Sequence, residues 1–364
     1  MSLHENKDYM DSIKTAAGCN LSWEKLRDKA VLVAGATGLI GRCLIDLLMY
    51  KNWVEGLNCH IYALSRNKRT AKQKFAPYFG STCFSYMEYD VQHPLKPQGM
   101  PHISYVLHLA SNTHPTAYAS EPINTILTNI YGTRNLLDFS VEHGVDRFVL
   151  LSSVEIYGEN RGDVEMFDES YVGYLNSNTV RAGYPEGKRC GEALCQAYRV
   201  EKGVNAVIPR LPRVFGPTMQ EEDSKAVAQF IKKAAEGKDI ILKSEGKQYY
   251  SFLYVMDAVT GILTVMLEGL NGEAYNIAHA YDDATLITMA GMAAEIAGTK
   301  VEHGLPAKAE IAGYSMATKA RLDGSKISRL GWQPMYSLED GMRLTIEILR
   351  AEMPHMPEGK PHDT

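Results

Sequence analysis

The sequence predicts an α/β protein, a doubly wound parallel sheet carrying a smaller C-terminal α/β cap. Three observations predict it. Short apolar runs alternate with longer amphipathic stretches from residue 30 onward, the signature of strand–helix–strand units. A glycine-rich turn containing Gly35, Gly38 and Gly41 joins the first run to the first amphipathic stretch. Beyond Pro212 the segments shorten and Gly, Tyr and Lys punctuate them, as expected of a cap.

The elements follow in order. Residues 1–28 read as a leader holding one short amphipathic helix at 23–27. Buried parallel strands are expected at 30–34, 60–64, 105–109, 147–151 and 206–210, with a further strand at 86–90. Amphipathic helices are expected at 42–50, 123–143 and 186–202. Residues 29–212 then form a dinucleotide-binding domain. Residues 213–350 form mainly a substrate-binding domain, with segments near 250–280 returning to the first. The proline-containing stretch 351–364 is expected to be disordered.

Composition narrows the function. The chain has 364 residues, 45% hydrophobic and 22% charged, with a formal net charge of -5. That balance leaves no electrostatic footprint for nucleic acid or an anionic membrane. The start is charged throughout and has no signal-peptide core, and no apolar run approaches the ~20 residues that span a bilayer. Six cysteines without a CxxC pair fit reduced thiols in a cytoplasmic protein. No HExxH occurs among the 11 histidines, so no metal is expected.

The glycine loop spans Gly35, Thr37, Gly38, Leu39, Ile40 and Gly41, and a helix follows. One glycine permits the tight turn, one the close approach of backbone to a pyrophosphate, and one the packing of helix on strand. The helix N-terminus then offers free N–H groups and a positive dipole end. The second strand ends in Ser65 and Arg66, followed by Lys68 and Arg69, without a carboxylate. Arg66 suits a 2′-phosphate as in NADP, and the alternative is a solvated basic face of Arg66, Lys68, Arg69, Lys72 and Lys74. Asp90 is placed to accept from an adenine amino group or to cap its own turn.

Lys188 follows Tyr184 by one helical turn, which sets both on one face. Pro185 is tolerated only in a first helical turn, so Tyr184 sits at the N-terminal edge. The helix dipole and the ammonium should favour phenolate and pull the phenol below its usual pKa of about 10, making a base for an alcohol proton. Ser153, at the end of a strand, is the expected partner for the substrate hydroxyl, with Ser152 buried. Glu155 is an acid, base or positioning group, or an exposed loop carboxylate.

These segments resemble the extended short-chain dehydrogenase/reductases of the NAD-dependent epimerase/dehydratase family. The likeness covers residues 29–341 and is most similar to the UDP-glucuronate decarboxylases. It is carried by His108 to Ser111, Thr128-Asn129 with Gly132-Thr133, Ser153 to Gly158, Arg181 to Arg189 with Glu192, Phe215 to Pro217, Tyr254 to Asp257, and Leu330 to Trp332. The resemblance implies a Rossmann sheet with bound NAD, NADP being the alternative, and Val91, Leu109, Ala110 and Ser111 along the cofactor. It implies a triad of Ser153, Tyr184 and Lys188, with Glu155 at the decarboxylases' acidic position. Asn129 would support Lys188 through the backbone, and Ser111 would also touch substrate.

The departures are specific. The family's 4,6-dehydratases carry Asp-Glu where this chain has Val154-Glu155. Arg213 stands where the decarboxylases have Asn, and Tyr250 where they have Arg, both positions serving the nucleotide-sugar diphosphate. Arg321 or Lys319 is the approximate counterpart of the arginine that meets the substrate carboxylate. The expected partner is a nucleotide-diphosphate sugar, oxidised transiently at C4 with the cofactor recycled. The expected reaction is decarboxylation, with 4-epimerisation, dehydration or NADPH-dependent ketosugar reduction as alternatives. The resemblance also implies a homodimer through the helices at 123–143 and 186–202, where Leu136, Leu137, Leu194 and Tyr198 recur at helical spacing.

Overall fold

The computed structural model describes residues 2–96, 99–113, 115–279, 282–305 and 317–353. Its centre is a parallel sheet. β1 (Ala30–Ala34) pairs with β2 (His60–Ser65) on one side and β4 (Tyr105–His108) on the other. β3 (Phe84–Glu88) extends it beyond β2. β5 (Arg147–Leu150), β7 (Ala206–Leu211) and β11 (Ala274–Asn276) extend it beyond β4, and the two-residue β6 (Ser152–Ser153) also pairs with β7. The order β3-β2-β1-β4-β5-β7-β11 reverses direction between β1 and β4, which opens a crevice outside their carboxyl ends.

Alternation along β1 divides the interior. Val31 and Val33 face one core, with Leu44 and Leu48 of α2 (Leu39–Glu55) and the wholly buried face of α8 (Val255–Glu268). Ala30, Leu32 and Ala34 face the other, with Leu136, Leu137 and Phe139 of α5 (Pro122–Glu142) and Cys195 of α6 (Gly183–Lys202). An unbroken apolar run such as Ala30–Ala34 suits only a strand covered on both sides. Glycines in the left-handed region end two of these helices, Gly56 after α2 and Gly203 after α6.

The leader is part of the core, which corrects the expectation of one short helix there. α1 (Lys7–Ala17) starts at Asn6, whose side chain accepts from Tyr9 N, and it buries Tyr9, Ile13 and Ala16. Buried Asp46 of α2 accepts from Tyr9 Oη at 2.6 Å and Tyr78 Oη at 2.8 Å, and lies 3.0 Å from His4 Nε2. That cluster ties the first residues to the sheet layer. The segment 23–27 forms only a 3-10 turn, Trp23–Leu26.

The remaining strands form the cap. β8 (Arg213–Phe215) and β14 (Lys319–Ala320) both pair parallel with β10 (Tyr249–Tyr254), and β12 (Asp283–Thr285) pairs antiparallel with it. β9 (Ile240–Leu242) and β13 (Val301–His303) make a second small sheet beside α7 (Ala226–Ala235) and α9 (Leu286–Ala297). The final helix Leu338–Glu352 reaches into the stretch expected to be disordered, and residues 354–364 lie outside the described residues. Among the described residues no helix is long and apolar enough to cross a membrane. No group of three or more His, Cys, Asp or Glu side chains among them is placed to hold a metal ion.

Candidate active site

The crevice is a cleft of about 890 Å³ running from the glycine loop to the cap. It is lined by Gly35, Thr37, Gly38, Leu39, Ile40, Gly41, Ser65, Arg66, Asp90, Val91, Leu109, Ala110, Ser111, Ser153, Glu155, Tyr184, Arg213 and Tyr250. Asn129, Lys188 and Arg321 stand outside that lining.

The glycine loop is built to the atom. Gly35 has φ +90°, and a Cβ there would come within 2.7 Å of Ala110 N. A Cβ on Gly41 would meet Gly35 O at 2.4 Å. The loop therefore holds backbone where side chains would sit, the requirement for a pyrophosphate against a helix N-terminus, so the residues present fit NAD. α2 begins at Leu39, not near Arg42, so the loop itself supplies the first helical turn. Lys74, expected on a solvated basic face, instead donates from Nζ to Thr37 O at 2.8 Å, and burial pushes its pKa down to about 8. Gln220 Nε2 donates to the same oxygen at 2.7 Å, and Thr218 Oγ1 to Leu39 O at 2.7 Å. Thr218 and Gln220, from the cap, thus hold the loop together with Lys74, and their distance along the chain gave no sequence signal.

Along the rest of the groove, Ser65 Oγ lies 3.3 Å from Tyr86 Oη, and Arg66 is exposed at the rim. β3 stops at Glu88, so Asp90 falls in the following turn, where Oδ1 accepts from Gln92 N at 3.0 Å. Val91 packs under Gly132, where a Cβ would come within 2.8 Å of it. Ser111 Oγ donates to Asn129 Oδ1 at 3.1 Å.

Asn129, given by the resemblance as a backbone support of Lys188, sits on the buried face of α5 toward the start of α6. Its carbonyl accepts from Thr133 Oγ1 at 2.6 Å, its amide donates to Thr125 O, and its side chain packs against Gly187. Lys188 is held by Leu151 O, to which Nζ donates at 2.8 Å. Burial drops the Lys188 pKa to about 8, with the Glu192 carboxylate opposing. His108, buried next to this charge, is pushed down to about 3, chiefly by burial, so it is a neutral imidazole at pH 7.

α6 starts at Gly183, placing Tyr184 and Pro185 in its first turn. The Ser153 hydroxyl lies beside the phenol and favours its charged form, and the Tyr184 ring stacks on Tyr118 with centroids 4.9 Å apart. The expectation of a lowered phenol pKa is overturned. Burial pushes Tyr184 up to about 12, the Glu155 charge adds to the rise, and the Ser153 hydroxyl and Arg181 only partly offset it. The phenol therefore keeps its proton at pH 7 in the protein alone. Ser152 is buried and donates to Glu192 Oε1 at 2.5 Å, leaving Ser153 as the cleft hydroxyl.

Glu155 is not an exposed loop carboxylate. Arg181 Nη2 donates to Oε2 at 2.8 Å, and Arg213 Nη2 lies 3.9 Å from Oε1. Arg181 lies over the Tyr118 ring at 4.7 Å and Arg213 over the Tyr250 ring at 3.3 Å. Val154 turns into the core, so no second group joins Glu155 from that position. Tyr250 Oη donates to Ala317 O at 2.6 Å, so Tyr250 presents its face to the cleft, not its hydroxyl. Arg321, expected to meet a substrate carboxylate, is held by Asp283 Oδ2 at 2.6 Å and Glu165 Oε1 at 2.8 Å, and Lys319 lies 3.6 Å from Glu165. Sequence reasoning gave no role to Arg181 or Tyr118. Arg181 precedes Tyr184 by three residues and was visible in principle, whereas Tyr118 reaches the site only through tertiary packing.

A family model described as the NAD dependent epimerase/dehydratase family matches residues 31–278. The chain is 30% identical to UDP-glucuronic acid decarboxylase 1 of Xenopus tropicalis over 328 residues, 90% of this chain and 73% of that protein. In fold it is similar to a double mutant of dTDP-glucose 4,6-dehydratase from Streptomyces venezuelae crystallised with NAD. That comparison gives a TM-score of 0.77 and 23% identity, covering 88% of this chain and 97% of the other. It is likewise similar to UDP-glucuronic acid 4-epimerase of Bacillus cereus in complex with UDP-glucuronic acid and NAD. Here the TM-score is 0.75 and the identity 22%, covering 88% of this chain and 99% of the other.

Proposed function

Because the chain belongs to the NAD-dependent epimerase/dehydratase family, we propose that it modifies a nucleotide sugar by transient oxidation at C4 with NAD, and that UDP-glucuronate decarboxylation is its reaction. One observation carries the reading: Ser153, Glu155 and Tyr184 meet on the wall of a cleft whose floor is a glycine loop shaped for a dinucleotide. The similarity to decarboxylases along nine-tenths of the chain supports the choice among reactions.

Bound NAD supplies a hydride acceptor and donor for C4, together with positive charge that favours loss of a phenol proton. Tyr184 exchanges the proton of the C4 hydroxyl, and Ser153, beside the phenol on the cleft wall, orients that oxygen. Lys188, anchored on Leu151 O, keeps a cation under the phenol, 5.9 Å from its ring centre. A uronate that carries a C4 ketone is a β-keto acid, and its CO2 leaves an enolate whose oxygen faces the same two hydroxyls. In this reading Glu155, on the same cleft wall, returns a proton to C5.

The test is direct. The cofactor released on denaturation should have the mass of NAD, and incubation with UDP-glucuronate should yield CO2 and a nucleotide pentose lighter by that mass. Conversion of an uncharged nucleotide hexose without mass change, and no CO2, would replace decarboxylation by 4-epimerisation.

The reading includes a homodimer through the outer faces of α5 and α6. Leu136 and Leu137 do not serve it, because both are buried in the chain's own core, and Leu194 and Tyr198 pack partly against that core. The exposed apolar residues Tyr131, Val141 and Val200 of the same helices are the surface that a second copy would cover. Light scattering should give twice the mass of one chain at micromolar concentration, and a single-chain mass rejects the pairing.

A further inference from the structure

Around Glu155 the cleft holds two guanidinium groups and one carboxylate. Arg181 spends Nη2 on Glu155, but its Nε and Nη1 are buried with no hydrogen-bond partner among the described residues. Arg213 Nη1 is in the same condition. Buried charged donors without acceptors are costly, and two guanidiniums that line the cleft beside a single carboxylate point to a further anion as ligand. Both guanidiniums are fixed in place by rings, Tyr118 under Arg181 and Tyr250 under Arg213. Three other cations near the cap are engaged: Lys225 with Asp223 at 2.8 Å, Lys319 with Glu165, and Arg321 with Asp283 and Glu165.

Position selects the anion. Arg181 lies over Tyr118, and Tyr118 is stacked on Tyr184, so the guanidinium stands one ring away from the phenol that handles the C4 hydroxyl. Glu155 follows Ser153 by two residues. In a nucleotide sugar the anionic group nearest C4 is a carboxylate on C5, whereas the diphosphate leaves from C1 across the ring. We propose that Arg181 and Arg213 form a fork that receives the C5 carboxylate of a uronate, which takes over from Glu155 as their anion and frees Glu155 to face the sugar. The proposal rests on the reading that the substrate is a nucleotide sugar. It gives Arg213 a carboxylate where the resemblance pointed to the diphosphate, and it moves the carboxylate contact away from Arg321.

The experiment compares the binding of UDP-glucuronate, UDP-glucose and UDP by titration calorimetry. It uses NAD-loaded protein carrying Tyr184→Phe to block turnover. UDP-glucuronate should bind more tightly than UDP-glucose by roughly 10- to 150-fold, the range for one charge-assisted hydrogen bond. Arg213→Gln and Arg181→Gln should each collapse that ratio toward one, Arg213→Lys should restore part of it, and UDP should bind all variants alike. Equal weakening of all three ligands by Arg213→Gln assigns Arg213 to the diphosphate and overturns the fork. So does a ratio near one in the Tyr184→Phe parent when UDP-glucose still binds, an outcome that leaves the nucleotide-sugar reading standing. Failure of both sugars and of UDP to bind the parent overturns reading and fork together.

Discussion

Tyr184→Phe is expected to slow turnover by about 10²–10⁴-fold, the range for losing one positioned proton-transfer group. It should leave the chain folded and its cofactor in place. The ring remains, so the stack on Tyr118 at 4.9 Å and the packing of the first turn of α6 survive. What is lost is the hydroxyl alone, with its place beside Ser153. The phenol is held protonated by burial, its pKa pushed up to about 12, so removing it discards no folded-state charge. Turnover and stability therefore separate in this variant. The measurement pairs steady-state turnover of UDP-glucuronate with urea unfolding at a fixed cofactor concentration. Turnover within tenfold of the parent would remove Tyr184 from proton transfer, whereas a large stability loss would recast it as a packing residue. Ser153→Ala is the useful companion, because it keeps the phenol and removes only the hydroxyl beside it.

The opposed sign at Tyr184 shows what a linear sequence conveys and what it does not. The spacing of Tyr184, Pro185 and Lys188 gives the first helical turn and the shared face correctly, because both depend on local geometry. The phenol's proton depends on how much water the fold removes, and that is decided by Tyr118, Ser153 and Glu155 arriving from distant segments. The same division runs through the fold. The strands at 30–34 and 60–64 are legible as continuous apolar runs, since a strand covered on both faces needs nothing else. α1 is not, because its polar side chains outnumber the apolar ones and its buried face, Tyr9, Ile13 and Ala16, makes sense only once Asp46 and α8 are in place. Lys74 reads as one more cation in a basic stretch until the fold brings Thr37 O within 2.8 Å of it. Arg213 and Tyr250 are visible as departures from the family pattern. That they form one unit, guanidinium over ring, follows from the pairing of β8 with β10.

Beneath the site lies the charge pair whose removal should destabilise the chain most. Glu192 of α6 receives both ends of the Arg210 guanidinium, Nε at 3.0 Å and Nη2 at 2.6 Å. Arg210 Nη1 donates in turn to Tyr157 Oη and to Glu169 O, each at 2.9 Å. Tyr157 donates to the buried Asn276 at 2.6 Å, and Ser152 donates to Glu192, so the network joins α6, β6, β7 and β11. Bidentate geometry and near-complete burial place this pair outside the class of screened surface bridges that contribute about 0–1 kcal/mol. Deleting one partner strands the other charge in a site with little water. Glu192→Ala is therefore expected to cost about 3–5 kcal/mol in urea unfolding, and Arg210→Ala a similar amount. The double replacement Glu192→Leu with Arg210→Met should cost far less than the sum of the two single changes, because it leaves no unpaired charge behind. A loss below about 1 kcal/mol for Glu192→Ala would mean that water reaches Arg210 and that the pair behaves as a surface bridge. The network also reaches the chemistry. β6 pairs Ser152 with Arg210 and Ser153 with Leu211, so the Ser153 hydroxyl beside Tyr184 is placed by the strand that Glu192 and Arg210 hold. The double variant that recovers stability should still turn over more slowly than the parent. Its aliphatic side chain in place of Glu192 accepts nothing from Ser152, and the Ser153 rotamer loses its neighbour's anchor.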